Sequence, residues 1–384
     1  MLSSGIKLKT YIKKKPTIKL KKIFKNLVKS NLEVINSLGK NYKYSYNKNI
    51  ILRFKKNNNF RIIGMGGSSL GSQAIYDFLK YKVKKKFIFV DNLVPTQKKK
   101  KKKFVNLIIS KSGNTIETIT NSNLLIKNKE KNIFITENKQ SYLSILAKKL
   151  KAEIIHHNNF IGGRYSVLSE VGMLPVELMG LKPSKFKQFN LLIKNKNFEK
   201  FLLSSVVSSL HFIKKKKFNS IIINYDEKSD SLFKWYQQLV AESLGKRNQG
   251  ILPIISTMPR DNHSVMQLYL DGFKNNFYTF FYVKEKNSDR LTNNKILSFK
   301  NYLKNKDVNK ILYAQKKATE NVFRKKNIPF RSFEINKRDE KSLGELFCFF
   351  ILETILIGEA LKIDPFNQPA VELIKKETTK ILIS

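Results

Sequence analysis

A chain of 384 residues, 41% of them hydrophobic and 11% aromatic, is long enough for two globular domains with real cores and too apolar to belong with disordered chains. Its 74 Lys and Arg against 29 Asp and Glu leave a formal net charge of +45, enough to draw any polyanion. The lysines come as scattered runs (13–15, 98–103, 214–217) rather than as one basic face interleaved with stacking aromatics, and Arg is sparse, so no specific nucleic-acid binding is expected and the excess is read as a bias toward AT-rich codons, shared by the abundant Asn, Ile, Phe and Tyr.

The chain opens on residues 1–49, read as a helical N-terminal extension. From residue 60, short β-rich runs at 60–64, 86–90, 104–110, 132–136 and 153–156 alternate with helical patterns, which implies a parallel sheet covered by helices. Leu70, Ala74 and Phe78, with Ile75 and Leu79, repeat at the spacing of a crossover helix. His156 and His157 point to opposite faces of the last strand and read as structural. Residues 174–185, with Pro175 and Pro183, are the expected join between domains.

A second set of strands follows at 218–224, 251–256, 277–283 and 330–335. Pro253 cannot donate to a ladder and weakens the second of them. His211 precedes a lysine run and is expected to be exposed. Residues 343–361 are the most apolar stretch, but Glu345, Glu353 and Glu359 lie inside it, which argues for a buried or amphipathic helix rather than a membrane span. A single cysteine, Cys348, excludes an internal disulfide; among Phe347, Phe349 and Phe350 it reads as a small buried hydrophobe in a reducing compartment. No early stretch resembles a signal or transit peptide, so the expected location is cytoplasmic. Residues 365–384 are read as a terminal helix after a turn.

Two loops carry chemistry. After the strand at 104–110 the chain reads Ser110-Lys111-Ser112-Gly113-Asn114-Thr115-Ile116-Glu117-Thr118 and turns helical. Ser110, Ser112, Thr115 and Thr118 supply hydroxyls, Gly113 permits an unusual backbone angle, and the helix start offers free N–H groups with a positive dipole end, as a phosphate requires. Ser and Thr also cap ordinary helices. A second loop, Gly64-Met65-Gly66-Gly67-Ser68-Ser69-Leu70-Gly71, likewise follows a strand and opens a helix. Ser69 spoils a dinucleotide fingerprint, and Ser72-Gln73 after Gly71 excludes a Walker loop. Two such loops at the carboxyl edge of one parallel sheet suit a compact phosphorylated ligand.

Sugar isomerisation removes a weakly acidic proton beside a carbonyl, so it needs a base, a group stabilising the enediolate and help with ring opening. Glu242 lies four residues after Gln238, on one helical face; alone, such a Glu before Gly245 also fits a solvated helix end. No Cys pair or His-x-x-x-His spacing suggests a metal.

Six ordered segments carry a resemblance. They are Gly66-Gly67-Ser68, residues 110–118, Gly162-Gly163-Arg164-Tyr165-Ser166-Val167, residues 238–246, His263-Ser264 with Gln267, and Pro365-Phe366-Asn367-Gln368-Pro369-Ala370-Val371-Glu372. From about Ile62 to its end, the chain resembles the glucose-6-phosphate isomerases, also called phosphoglucose isomerases. The resemblance implies an α/β fold of two sugar isomerase (SIS) domains, each a parallel sheet flanked by helices, with helical N- and C-terminal extensions. The boundaries then fall at 1–49 (extension), 50–180 (first domain, phosphate), 181–362 (second domain, base) and 363–384 (tail). It implies reversible conversion of glucose 6-phosphate to fructose 6-phosphate, in glycolysis and gluconeogenesis, without metal or other cofactor.

By position, the resemblance makes Glu242 the base, Arg164 the cation on the enediolate, His263 the ring-opening histidine and Lys375 the lysine near the ring oxygens. Ser110, Lys111, Ser112 and Thr115 fall where the family holds phosphate, and Gly67, Ser68, Gln238 and Gln368 at other substrate contacts. It also implies a homodimer in which the histidine crosses the interface, so that two sites are shared. The phosphate loop departs from the common pattern at Ser112-Gly113-Asn114, as do Asn367 and Ala370. An enzyme that also accepts mannose 6-phosphate is therefore the alternative, followed by a non-catalytic phosphosugar-binding regulator.

Overall fold

The computed structural model describes residues 1–11, 15–95, 103–127, 130–293, 295–297 and 299–384; most of the lysine runs at 13–15 and 98–103 lie outside them. Ten strands are formed among these residues: β1 (Ile6–Lys9), β2 (Asn59–Ile63), β3 (Lys86–Val90), β4 (Val105–Ile109), β5 (Lys131–Thr136), β6 (Glu153–His156), β7 (Asn219–Asn224), β8 (Leu252–Thr257), β9 (Asn276–Val283) and β10 (Phe330–Ile335). Apart from β1, each lies within one residue of the run expected from sequence. Every residue of β4 and β9 is buried, as in parallel strands covered by helices on both faces.

The first sheet is ordered β3-β2-β4-β5-β6 and all its pairs are parallel. The strand order reverses between β2 and β4, so the chain leaves these neighbours toward opposite faces and opens a crevice at their carboxyl ends. Both loops singled out above begin there. The second sheet is ordered β1-β10-β9-β7-β8, with β7 to β10 parallel and β1 antiparallel to β10.

The strand β1 corrects the expectation of an all-helical extension over 1–49. Ile6 and Leu8 are buried while Lys7 and Lys9 face out, a period-two pattern of only four residues. Alone it is too short to declare a strand, and it is stabilised by covering the open edge of β10. The rest of the extension is helical, at Ile18–Lys29, Glu33–Leu38 and Lys48–Lys55. Pro253 is tolerated because β8 is an edge strand: the Leu252 N–H donates to the Phe218 carbonyl, so the next nitrogen faces the open side.

The join at 174–185 is not a loose linker. Pro175 lies within the helix Glu170–Leu178, which is almost wholly buried, and Pro183 opens a single 3₁₀ turn. One continuous core runs through both halves, with Trp235 packed edge-on against Phe347. The helix Asp230–Leu244 packs against Leu70–Phe78 of the first domain and against Glu340–Ala360 of its own. It thereby brings a second-domain face to the crevice of the first.

The glutamates of the apolar stretch are resolved in this packing. Glu345 is buried and accepts from Ser3 Oγ, Glu353 is buried against Arg331, and Glu359 is exposed. No helix of the described residues is long and apolar enough to cross a membrane. Cys348 is fully buried, and burial pushes its thiol up to about 12. His156 is exposed and His157 buried. His211, expected in solvent, is half-buried with its ring against Phe212.

Arg331 also donates from Nε to Thr279 Oγ1 at 3.0 Å, but Glu353 is its counter-charge. Glu353→Ala is expected to cost about 3–5 kcal/mol of unfolding free energy by stranding a buried charge, seen as a lower urea midpoint. The double change Arg331→Met with Glu353→Leu should recover most of that. A loss under about 1 kcal/mol in the single variant would show that the pair does not carry this charge balance.

Candidate active site

The loop after β2 approaches Gly163 and Gln238 more closely than a side chain would permit. A Cβ on Gly67 would fall 2.1 Å from the carbonyl carbon of Gly163, the residue before Arg164. At Gly66, with φ +53°, it would fall 2.6 Å from Gln238 Nε2. Glycine is required at both places on steric grounds. Ser68 follows in a 3₁₀ turn, half-buried.

The loop after β4 folds on itself. Buried Ser110 places Oγ 2.9 Å from Thr115 Oγ1 and accepts from the Gly113 N–H at 3.2 Å, while Ser112 Oγ accepts from the Asn114 N–H at 3.3 Å. Thr115 is the N-cap of the helix Ile116–Leu125, yet its hydroxyl is turned to Ser110 and makes no capping bond. The first-turn amides therefore keep their capacity for an anion. Lys111 donates to the Asn159 carbonyl at 2.8 Å and lies 3.5 Å from Glu137. Thr118 is fully buried and its hydroxyl has no partner; that burial separates it from the more accessible Ser112 and Thr115.

Glu242 lies in the last turn of the helix Asp230–Leu244, one turn beyond Gln238. Its side chain is 22% exposed, and Oε1 stands 3.6 Å from Arg164 Nη1. It borders a cleft of about 930 Å³ with the turn at 246–249 and the segment 367–371. Arg164 is 2% exposed. Its Nη1 donates to Gln368 Oε1 at 2.7 Å, its Nη2 to the carbonyls of Pro365 (2.7 Å) and Asn367 (3.1 Å), and its Nε to Ser243 Oγ at 2.8 Å. Its own carbonyl accepts from Trp235 Nε1 at 3.1 Å. Gln238 Oε1 is buried without a partner, an acceptor left for a donor that enters the crevice.

One chain therefore brings together Gly67, Ser68, Gln238, Glu242, Arg164 and Gln368, with Ser110 to Thr115 on the neighbouring strand end. His263 is exposed on the turn Arg260–His263 after edge strand β8, and among the described residues no hydrogen bond or ion pair joins it to Glu242 or Arg164. Lys375 is also exposed, paired with Glu372 at 2.6 Å, on the helix Pro369–Ile383, which has no buried residue. Ser243, Tyr165 and the Pro365 carbonyl, which hold Arg164, were invisible as partners in the sequence: the Ser243 contact spans 79 positions. Only the placement of Ser243 beside Glu242 hinted at it. The described residues contain no group of three or more His, Cys, Asp or Glu arranged to hold a metal ion.

A carboxyl group beside a guanidinium fixed by hydrogen bonds, next to free helix-start amides, can move a proton on a small anionic substrate while an oxyanion forms. Comparison with known proteins gives the family. The family model for phosphoglucose isomerase matches residues 51–384. The glucose-6-phosphate isomerase of Methanocaldococcus jannaschii is 33% identical over 340 residues, 83% of this chain and 82% of that protein. The enzyme of the same name from Mycoplasmopsis pulmonis is 34% identical over 352 residues, 84% and 82% of the two chains. A crystal structure of a glucose-6-phosphate isomerase from Chlamydia trachomatis superposes with a TM-score of 0.76 over 95% of this chain and 83% of that one, at 18% identity, which shows a common fold. The chain belongs to the phosphoglucose isomerase family.

Proposed function

We propose that this enzyme interconverts glucose 6-phosphate and fructose 6-phosphate through an open-chain cis-enediolate. Ser110, Lys111, Ser112 and Thr115, with the first-turn amides of Ile116–Leu125, hold the phosphate. Gly67, Ser68, Gln238 and Gln368 contact the sugar. The Glu242 carboxylate takes the proton from C2 of the aldose, the electron pair passes to the C1 oxygen, and Arg164 meets the negative charge of the enediolate. Passing the C2 hydroxyl proton to the C1 oxygen and returning the carbon-bound proton from Glu242 to C1, so that the C2 oxygen becomes the carbonyl, completes the ketose. An Arg suits its part because it keeps its own proton. The observation that carries the reading is the 3.6 Å approach of Glu242 to a buried Arg164, beside the loop after β2, which lies against Gly163 and Gln238.

We further propose a cytoplasmic homodimer in which His263 of the partner subunit opens the sugar ring at each cleft and Lys375 assists near the ring oxygens. The exposure of His263, and of Leu373, Ile374, Ile381, Leu382 and Ile383 on the terminal helix, supports this: an apolar helix beside the cleft has no cover within one chain. The relatives named above favour the glucose and fructose phosphates over a broader substrate range.

Glu242→Gln is expected to abolish exchange of the substrate C2 proton with solvent and to lower kcat by at least about 1000-fold, with affinity for fructose 6-phosphate within a few fold. Retained turnover would reject the base. Arg164→Ala should cost about 100- to 1000-fold in kcat, and a loss under threefold would place the enediolate elsewhere. Mixing and reassembling Glu242→Gln and His263→Ala subunits tests shared sites. Roughly a quarter of wild-type activity should return, since half the dimers are hybrids with one intact site. Hybrids that form and stay inactive would exclude a histidine donated across the interface.

A further inference from the structure

Four hydrogen bonds close a ring around Arg164. Its Nε donates to Ser243 Oγ at 2.8 Å, Ser243 Oγ lies 2.8 Å from Tyr165 Oη, Tyr165 Oη donates to the Pro365 carbonyl at 3.0 Å, and Arg164 Nη2 donates to that same carbonyl at 2.7 Å. Ser243 and Tyr165 are both fully buried, so water does not compete for these bonds. A phenol has one proton, and here it is directed to Pro365. The Ser243 hydroxyl must then donate to Tyr165, leaving its lone pairs for Arg164 Nε. Three protons thus run in sequence from Arg164 Nε through Ser243 and Tyr165 to the Pro365 carbonyl, the arrangement in which neighbouring hydrogen bonds strengthen one another, and Arg164 Nη2 closes the ring on that same acceptor. Burial pushes the Tyr165 phenol up to about 12, so its proton stays in place.

We infer that Ser243 and Tyr165 are positioning residues that fix the plane of the Arg164 guanidinium, and so the direction from which it meets the enediolate. The inference rests on the role proposed above for Arg164. The ring engages Nε and Nη2, the two nitrogens turned away from Glu242; Nη1, the nitrogen nearest the carboxylate, is left with Gln368. Of the five N–H donors of an Arg, the ring and the Asn367 carbonyl take three and Gln368 a fourth. The remaining Nη1 hydrogen has no hydrogen-bond acceptor among the described residues, Glu242 Oε1 standing 3.6 Å away, and is the donor left for a substrate oxygen. The ring also ties three segments: Ser243 is the neighbour of the base, Tyr165 the neighbour of Arg164, and Pro365 lies three residues before Gln368. A rotated guanidinium would displace that free donor by about 1 Å, a misplacement of the size that costs up to ~100-fold in rate.

The test is a mutant cycle on the intact enzyme. Tyr165→Phe keeps the buried ring and removes the relay, so the fold should persist even if Ser243→Ala proves unstable. Each single variant is expected to lower kcat about 10- to 100-fold with KM within about twofold, because the oxyanion arises only after binding. On an Arg164→Ala background the same changes should cost less than about twofold further, since a positioning residue acts only through the group it positions. Full multiplicative losses on that background, an unchanged kcat in a folded Tyr165→Phe variant, or a rise in KM with kcat unaltered would each overturn the inference. If Arg164→Ala alone barely lowers kcat, the enediolate role itself fails and the inference falls with it; if Arg164→Ala is severe while Tyr165→Phe is silent, only the positioning role is lost.

Discussion

The approach of Gly67 to Gly163 is the constraint on which the rest of the site depends. It places the loop after β2 in backbone contact with the residue that precedes Arg164, closer than any Cβ permits. Gly66 does the same against Gln238, one helical turn from Glu242. Gly67 thus fixes the backbone before Arg164 against the loop after β2, and Gly66 brings that loop against the helix of the other half of the chain that carries Glu242. The Gly67 contact is backbone to backbone and therefore stiff, since interiors are close-packed and small displacements are not absorbed locally.

Arg164 illustrates how a buried cation can take its hydrogen bonds from neutral acceptors. Glu242 stands at 3.6 Å, too far to be a hydrogen-bond partner, and the guanidinium is satisfied instead by two main-chain carbonyls, an amide oxygen and a hydroxyl. Neutral acceptors meet the hydrogen-bonding demand, and the Glu242 carboxylate stands 3.6 Å away as counter-charge. A buried charge without a partner is costly, so this half-buried carboxylate helps to keep the guanidinium in the interior. Arg331 shows the opposite arrangement: its charge is closed by Glu353 within the core, and it serves packing between β10 and the helix Glu340–Ala360.

The strands and the loops after β2 and β4 could be read from sequence because their signals are local: a continuous apolar run, then small and hydroxyl residues, then helical spacing. Glu242 and Arg164 could be placed through the segments that carry the family resemblance. What could not be read was long-range or short. The strand β1 is four residues whose partner lies more than 300 positions away, and Ser243 looks like any helix serine until Arg164 is folded against it. Pro175 misled for a related reason. Its signature is that of a linker, whereas the buried surroundings of Glu170–Leu178 stabilise a helix that includes it.

The second sheet repeats the arrangement of the first, with the strand order reversing between β7 and β9 as it does between β2 and β4. A ligand crevice is expected at that reversal too, yet charged side chains of the chain itself fill it. Asp226 follows β7, Glu285 follows β9, and Arg338, after β10, is paired with both; Arg338 also stacks on Phe78 of the first domain. With that crevice closed by an ion cluster that fastens the domains together, the helix after β7 is left to serve the first domain's crevice instead, and it is this helix that carries Gln238, Glu242 and Ser243.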